Sequence, residues 1–350
     1  MIQLNQVTLS LQELNLGRIT TNHNICLDEP KRLGYFSSYY DNENKCVYCP
    51  DKSALRYLDL PDPVNINCLQ GYDSNVKYGN KGSKGTNLLR WILENETIVR
   101  NFTYDFICSN GLLKDLMVSS YYDFDWNLCA AKIKGKIILN RVDSIEKKEN
   151  VEFQSEKNKK STYVALNLQS LITKNNNHSH CTSARDEDAF FGVSHTKIGL
   201  HQILHSGYLD CVESEQEMSK SFDDMKFVLV KKYNAPRVSH TSLHANTWWS
   251  LAKLAGVDTI VRAKCEQDFT VENIDKLQVE RLINKHRQMI FVTSLDLILS
   301  HLKSVVTEEN KCYNFNFNGK NKRLTGYMTM DLDDNLIPSW YINEQLPLEA

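Results

Sequence analysis

Apolar and polar positions alternate along two stretches in the second half of the chain, residues 202–213 and 225–233. Alternation predicts strands, because successive side chains of a strand point to opposite faces of a sheet. Residues 242–257 instead space their apolar side chains at helical intervals and end near Gly256, and residues 258–264 again predict a strand. Two strands, a long helix and a further strand in this order predict an α/β fold with a central mixed β-sheet flanked by helices.

Further elements are predicted on either side of this region. Helical spacing begins at Thr86 and again at Gly111, and a long helix is predicted for residues 284–305. Residues 127–142 predict a hairpin that turns at a Lys-Gly pair, and a closing hairpin is predicted after the long helix. The chain therefore contains enough regular structure for a large core.

The chain shows no internal repeat and no Gly/Ser-rich or Pro-rich linker, so we expect one domain over residues 1–350. Residues 146–161 contain many charged and few apolar side chains, which predicts an exposed charged insert. Because its charges are of both signs, we interpret this insert as a solvated loop and not as an RNA-binding patch.

Composition and charge narrow the class of protein. The 350 residues are 41% hydrophobic and 24% charged, which is typical of a folded chain. The formal net charge of −2 gives no overall positive field, so a nucleic-acid contact has to come from a local patch. The sequence shows neither a signal-peptide pattern nor the roughly 20 apolar residues of a membrane span, so we expect an intracellular protein with no membrane contact.

Ten cysteines are scattered along the chain, and we expect them to be reduced and mostly buried thiols. Cys46 and Cys49 form a CxxC motif, but a zinc site needs four ligands and no second pair follows at the spacing of a zinc finger. The His and Cys residues of 178–181 lie in an Asn-rich loop and are no stronger as ligands. The sequence therefore predicts no metal and no cofactor.

Seven strings of residues carry a resemblance to a known family. In chain order they are RLGYFSSY (32–39), LRYLDLPDP (55–63), CLQGYD (68–73), LLRWI (88–92), DFICSNGLLKDLM (105–117), HTKIGLHQILHSGYLDC (195–211) and AGVDTIVRAK (255–264). Together they resemble the DXO family, which comprises RNA 5′-end decapping and exoribonuclease enzymes and nuclear cofactors of the major 5′–3′ exoribonuclease. The resemblance runs from about residue 17 to beyond residue 320.

The resemblance implies a site at which carboxylates on the face of the sheet hold two divalent cations that assist hydrolysis at RNA 5′ ends. Such ions require several hard oxygen ligands. At the family's acidic positions this chain has Gln169, Tyr208 and Leu229, and only Asp210 retains a carboxylate. The family's Glu-x-Lys motif has its glutamate where this chain has Leu229, and Lys231 keeps the lysine of that motif.

Two further family positions are altered. Asn110 stands where the family has an arginine that would neutralise RNA phosphate. Leu251 stands where the enzymes have a glutamine that orients the substrate, and this placement is defined to within one helical turn. Asp210 and Lys231 are expected to lie on neighbouring strands and to form a partly buried pair. Tyr208 and Leu229 are expected to fill the vacated pocket with apolar volume.

We interpret these losses as those of a pseudoenzyme, because one carboxylate does not hold ions that need several. The resemblance to degenerate members of the family implies a nuclear factor of the germline piRNA pathway that protects or licenses piRNA-cluster transcripts by suppressing 5′-end processing, termination and splicing at heterochromatin. It implies Deadlock, and through it Rhino, as protein partners, with weak or absent RNA binding.

Two alternatives stay open. One is a residual enzyme in which Asp210, Gln169 and main-chain carbonyls hold a metal ion. The other is a stabilising cofactor of the nuclear 5′–3′ exoribonuclease.

Overall fold

The structure is a computed structural model that describes residues 7–11, 25–40, 46–76, 85–142, 155–175, 188–234, 238–329, 332 and 337–343. The described strands, numbered in chain order, are β1 (Val7–Ser10), β2 (Lys31–Tyr40), β3 (Cys46–Cys49), β4 (Tyr57–Leu58), β5 (Ile66–Asn67), β6 (Phe106–Ser109), β7 (Trp126–Ile133), β8 (Lys136–Val142), β9 (Thr173–Lys174), β10 (Asp188–Ile198), β11 (His201–Tyr208), β12 (Cys211–Val212), β13 (Phe227–Asn234), β14 (Thr259–Cys265), β15 (Thr270–Gln278), β16 (Cys312–Asn318) and β17 (Arg323–Thr329).

The described α-helices are α1 (Thr86–Glu94), α2 (Glu96–Val99), α3 (Asn110–Val118), α4 (Glu156–Ile172), α5 (Val238–Ala255), α6 (Lys285–Val305) and α7 (Ser339–Asn343). Two short 3₁₀-helices cover Glu215–Ser219 and Val279–Arg281. In the part of the chain that the structure describes, no helix is both long and apolar enough to cross a bilayer.

The strands form two mixed sheets. The larger sheet has ten strands in the order β1-β17-β16-β7-β8-β6-β11-β10-β2-β3, and β6 runs parallel to both β8 and β11. The smaller sheet has seven strands in the order β5-β15-β14-β13-β12-β4-β9, with parallel pairs β13-β14 and β12-β4. All other neighbours are antiparallel.

The Ser109 side chain marks the start of helix α3, and Gly256 marks the end of helix α5. The Ser109 hydroxyl accepts a hydrogen bond from the Leu112 amide at the start of α3, which satisfies one of the free N–H groups of the first turn. Gly256 has φ 62° directly after α5, a conformation that glycine adopts without steric cost. The predicted end of this helix near Gly256 is therefore confirmed.

Three hydrophobic clusters hold the layers together. The main core lies between one face of the larger sheet and helices α3, α5 and α6, and it extends onto the smaller sheet through Leu229 and Ile260. A second cluster covers the other face of the larger sheet and includes Trp91 of α1 and Tyr341 of α7. A third cluster joins α4 to the far face of the smaller sheet.

The link between the sheets is short. Strand β11 of the larger sheet ends at Tyr208, and β12 of the smaller sheet begins at Cys211. Leu209 enters the main core, while Cys211 enters the cluster under α4. Asp210 thus stands at the crossing from one sheet to the other.

The predicted α/β class with mixed sheets and flanking helices is confirmed, although two sheets replace the single expected one. The stretch 202–213 is interrupted at Leu209 and Asp210, because the chain changes sheets there. Of the expected loop over 146–161, residues 156–161 form the first turns of α4, and residues 146–154 lie outside the described residues. Ser155 caps that helix through the Asn158 amide, which explains why a charged sequence is helical here.

The expectation of reduced thiols fails at one pair. Cys129 on β7 and Cys312 on β16 form a disulfide with Cα atoms 6.6 Å apart. The register of these strands places Cys312 opposite Ala131, two residues from Cys129, and so brings both side chains to one face. Cys46 and Cys49 are free thiols on edge strand β3.

Candidate functional site

Asp210 and Lys231 meet at the crossing between the two sheets. The Lys231 Nζ lies 3.1 Å from the Asp210 Oδ2, and the same oxygen accepts a 2.7 Å hydrogen bond from the Val230 amide. The Asp210 side chain is 3% exposed and that of Lys231 is 23% exposed. The expected pair is therefore formed, and the carboxylate also supplies an acceptor to a strand amide beside the short strand β12.

Gln169 and Tyr208 lie beside this pair. Gln169 is in the last turn of α4, and its amide Nε2 donates to the Tyr208 hydroxyl and, over 3.0 Å, to the Asp210 carbonyl. The Tyr208 ring packs edge to face against Phe191, with ring centroids 5.9 Å apart. Gln169 thus ties the end of α4 to the crossing segment through neutral groups only.

Leu229 is buried, as the expected filling of the vacated pocket requires, whereas Tyr208 is not. Leu229 is 3% exposed within the main core, and Tyr208 is 37% exposed. The reason is that Tyr208 ends its strand at the protein surface, where its hydroxyl contacts Gln169 and its ring packs against Phe191.

Asn110 belongs to a different cluster, on the opposite face of β11 from Tyr208. Its Oδ1 accepts a 2.5 Å hydrogen bond from the Nδ1 of His205, whose Nε2 lies 2.6 Å from the Thr196 hydroxyl. Complete burial lowers the pKa of His205 to about 3, so the ring is neutral and its Nε2 accepts from Thr196. A Cβ atom at Gly207 would overlap the Asn110 amide. Asn110 therefore supports the core through His205 and Gly207.

Leu251 is half buried on α5 and packs against the main core. Of the seven positions taken from the family, the structure joins Gln169, Tyr208, Asp210 and Lys231 by hydrogen bonds, while Leu229 and Leu251 contribute to the core. The hydrogen bond from the Val230 amide to Asp210 was not predicted from the sequence, because a backbone N–H group does not depend on residue type.

Several cations on the smaller sheet are paired with carboxylates. Lys231, Arg262 and Asp275 stand opposite one another on neighbouring strands. The ion pairs of this sheet include Lys231 with Asp210, Arg262 with Asp275, Lys264 with Glu266, and Lys276 with Glu213. The Lys232 Nζ and the Arg56 Nε instead donate to the hydroxyls of Ser161 and Thr173.

The residues present do not fit two divalent cations. Asp210 contributes the one carboxylate of its cluster, and that group is engaged by an ammonium and an amide. Over the ranges that the structure describes, no group of three or more His, Cys, Asp or Glu side chains is placed to hold a metal ion. The side chains beside Asp210 are an amide and a phenol, which are not the hard anionic ligands that Mg²⁺ and Mn²⁺ prefer.

Comparison with known proteins identifies the fold. A crystal structure of Candida albicans Rai1 in complex with pU5-Mn²⁺ superposes with a TM-score of 0.76 and 17% sequence identity, covering 97% of this chain and 98% of that one. Scheffersomyces stipitis Rai1 matches with a TM-score of 0.76 and 17% identity over 96% of both chains. K. lactis Dxo1 in complex with manganese matches with a TM-score of 0.62 and 11% identity, over 93% of this chain and 98% of that one.

A family model described as RAI1-like PD-(D/E)XK nuclease matches residues 28–342. The chain belongs to this family. No curated protein sequence matches the chain. Membership of the RAI1-like nucleases gives a family-level role in RNA processing.

Proposed function

We propose that this chain is a non-catalytic member of the RAI1-like family. The observation that carries the proposal is the state of Asp210, whose carboxylate is held by Lys231 and the Val230 amide while its neighbours Gln169 and Tyr208 are neutral. Metal-assisted hydrolysis depends on ions held by several anionic oxygens, and ligand losses reduce metal affinity or activity by at least 10-fold to 100-fold each.

The test of this proposal is an assay of hydrolysis. The purified chain is incubated with RNAs that carry a 5′-monophosphate, a 5′-triphosphate or an incomplete cap, each with Mg²⁺ or Mn²⁺. We expect no turnover above that of the Asp210→Ala variant. Turnover that requires the metal and disappears in Asp210→Ala would instead support the residual enzyme.

We further propose that the chain acts in the nucleus through protein partners, as its resemblance to the piRNA-pathway protein Cutoff implies. On this proposal it associates with Deadlock, and through it with Rhino, and protects cluster transcripts from 5′-end processing, termination and splicing. The ion pair of Lys231 with Asp210 supports a protein-mediated role, because it neutralises a cation that would otherwise contact an RNA 5′ end.

Binding titrations at 0.15 M salt test whether Deadlock is a partner of this chain. A stable protein interface buries on the order of 1,200 Å² or more and survives this salt. We expect saturable binding of the Deadlock segment and no preference for a 5′-monophosphate over a 5′-hydroxyl on single-stranded RNA. Binding to the nuclear 5′–3′ exoribonuclease without binding to Deadlock would favour the cofactor alternative.

A further inference from the structure

A basic and aromatic surface lies at the end of the larger sheet where β2 begins. Lys31 and His195 stand opposite each other on β2 and β10, and Lys197 follows two residues later on the same face of β10. The Phe102 ring packs against the His195 ring with centroids 5.1 Å apart, and the Lys31 Nζ lies 4.8 Å from the Phe102 centroid. The His195 Nε2 donates to the Thr103 carbonyl over 2.9 Å, which holds the imidazole in place.

The same surface continues across the sheet. Tyr104 follows Phe102 in the segment before β6, and the Lys136 Nζ lies 4.8 Å from the centroid of its ring. Lys136 begins β8, which is four strand positions from β2 in the sheet order. Neighbouring strands are about 5 Å apart, so this row of alternating cations and rings extends over roughly 20 Å. We name it the Lys31 surface, and it consists of Lys31, Phe102, Tyr104, Lys136, His195 and Lys197.

Two lysines of the Lys31 surface have no carboxylate partner among the described residues, unlike two lysines of the smaller sheet. Lys31 and Lys197 are exposed, and among the described residues no carboxylate lies within ion-pair distance of either. On the smaller sheet, by contrast, Lys264 and Lys276 are each paired with a glutamate. An aromatic face orients the Lys31 ammonium without neutralising it, so its charge stays available to an anion.

We propose that the Lys31 surface binds the backbone of single-stranded nucleic acid. Ammonium groups contact phosphates, and the half-buried rings of Phe102 and Tyr104 offer faces on which bases stack without sequence preference. An acidic peptide would use the lysines but gain nothing comparable from the rings. Alternation of cations and rings therefore favours a nucleic acid as the ligand.

The Lys31 surface lies away from the cluster of Gln169, Tyr208, Asp210 and Lys231. Lys197 is opposite Gln202 on β11, and Tyr208 is six residues farther along that strand, a distance of about 20 Å. Contact at the Lys31 surface therefore does not depend on the chemistry of the RNA end. The proposal of nucleic-acid binding at the Lys31 surface goes beyond the proposed loss of catalysis, and neither proposal requires the other.

The test is a titration of the full chain with U12 oligonucleotides that carry either a 5′-hydroxyl or a 5′-monophosphate, followed by fluorescence anisotropy from 50 to 200 mM salt. We expect the two oligonucleotides to bind equally within twofold. Two phosphate contacts, by Lys31 and Lys197, predict a slope of log K against log salt of about −1.4. The double variant Lys31→Glu/Lys197→Glu should weaken binding at least 10-fold and make the slope shallower by about 1.4.

The matched control is Lys264→Glu/Lys276→Glu, which changes the net charge equally but lies on the smaller sheet, and which should alter affinity less than threefold. Phe102→Ala, compared after a thermal melt has verified folding, should weaken binding about fivefold or more through lost stacking. The proposal is overturned if the control weakens binding as much as the Lys31 pair, or if the wild-type chain does not bind U12 at 50 mM salt. Competition by polyglutamate as strong as by U12 would also overturn it, since the surface would then be a site for acidic protein.

Discussion

Asp210 and Lys231 form an ion pair over 3.1 Å at the point where the chain crosses from the larger sheet to the smaller one. The pair ties β13 to the crossing segment. Because the Asp210 oxygen also accepts from the Val230 amide, one carboxylate satisfies both a side-chain cation and a backbone donor.

Because the Asp210 carboxylate accepts from both Lys231 and the Val230 amide, variants that remove one or both of these hydrogen bonds should differ in stability. Lys231→Met should lower the free energy of unfolding by about 2 kcal/mol, below the roughly 3–5 kcal/mol of a fully buried pair, because its side chain is 23% exposed. Asp210→Leu/Lys231→Met should be less stable than Asp210→Asn/Lys231→Met by about 1–3 kcal/mol, since only asparagine keeps an acceptor for the Val230 amide. Urea unfolding measures all three variants, and equal stability of the two double variants would contradict the role given to that amide.

His205 predicts a dependence of stability on pH. Its pKa is lowered from 6.5 to about 3 by burial, so the unfolded chain binds a proton that the folded chain does not between these values. The contribution of the neutral ring is present above pH 6.5 and is lost as the pH falls, by up to about 1.4 kcal/mol per pH unit.

Urea unfolding of wild type and His205→Gln from pH 7 to pH 4.5 checks this slope. The variant should show a flatter decline toward acid, while His286→Gln, at an exposed histidine, should decline like the wild type. Parallel curves for wild type and His205→Gln would show that His205 titrates normally in the folded chain.

The close approach of Gly207 to Asn110 predicts coupling between them. Gly207→Ala would place a methyl group against the Asn110 amide and should destabilise the chain by about 2–3 kcal/mol through overpacking. Asn110→Ala should cost about 1–3 kcal/mol, because the His205 N–H then lacks its acceptor. The double variant should lose at least about 1 kcal/mol less than the sum of the two single losses, since the clash is removed. Strict additivity in thermal melts would mean that the two side chains do not meet.

Carboxylates restored at the crossing should create metal binding. In Gln169→Glu/Tyr208→Glu, two new carboxylates would stand at side chains that already contact each other, next to the main-chain carbonyl of Asp210 as a further oxygen ligand. Mn²⁺ at 100 times its dissociation constant should then stabilise the variant by about 2.7 kcal/mol, while the wild type is unaffected. Gln169→Glu/Tyr208→Phe, which adds a single carboxylate, is the matched control. An unchanged melting temperature of the double glutamate variant in Mn²⁺ would show that these positions do not share one ion.

Local patterns predicted much of this fold, and long-range pairing explains what they missed. The hairpin over 127–142 is present as β7 and β8, with its turn at Lys134 and Gly135, both at positive φ. Division into two sheets could not be predicted, because it depends on two-residue strands such as β4 and β9, whose partners are distant in the chain. A two-residue strand carries too little alternation to be recognised.

The same contrast applies to the site. The pairing of Asp210 with Lys231 was predicted from the alternation of two neighbouring strands, although Asp210 lies between β11 and β12 and not within a strand. The exposure of Tyr208 could not be predicted, because it depends on where β11 leaves the larger sheet. The Cys129 to Cys312 disulfide depends on the register of β16 with β7, which composition does not reveal.

The position of β1 has a consequence for synthesis of the chain. Its only partner among the described strands is β17, with Val7 opposite Gly326. A ribosome that adds 5–20 residues per second needs roughly 15–60 s to reach that partner. Throughout this interval the backbone N–H and C=O groups of β1 lack their strand partner, so an added chaperone or a slowed ribosome should affect the yield of folded protein more than it affects the stability of the finished molecule.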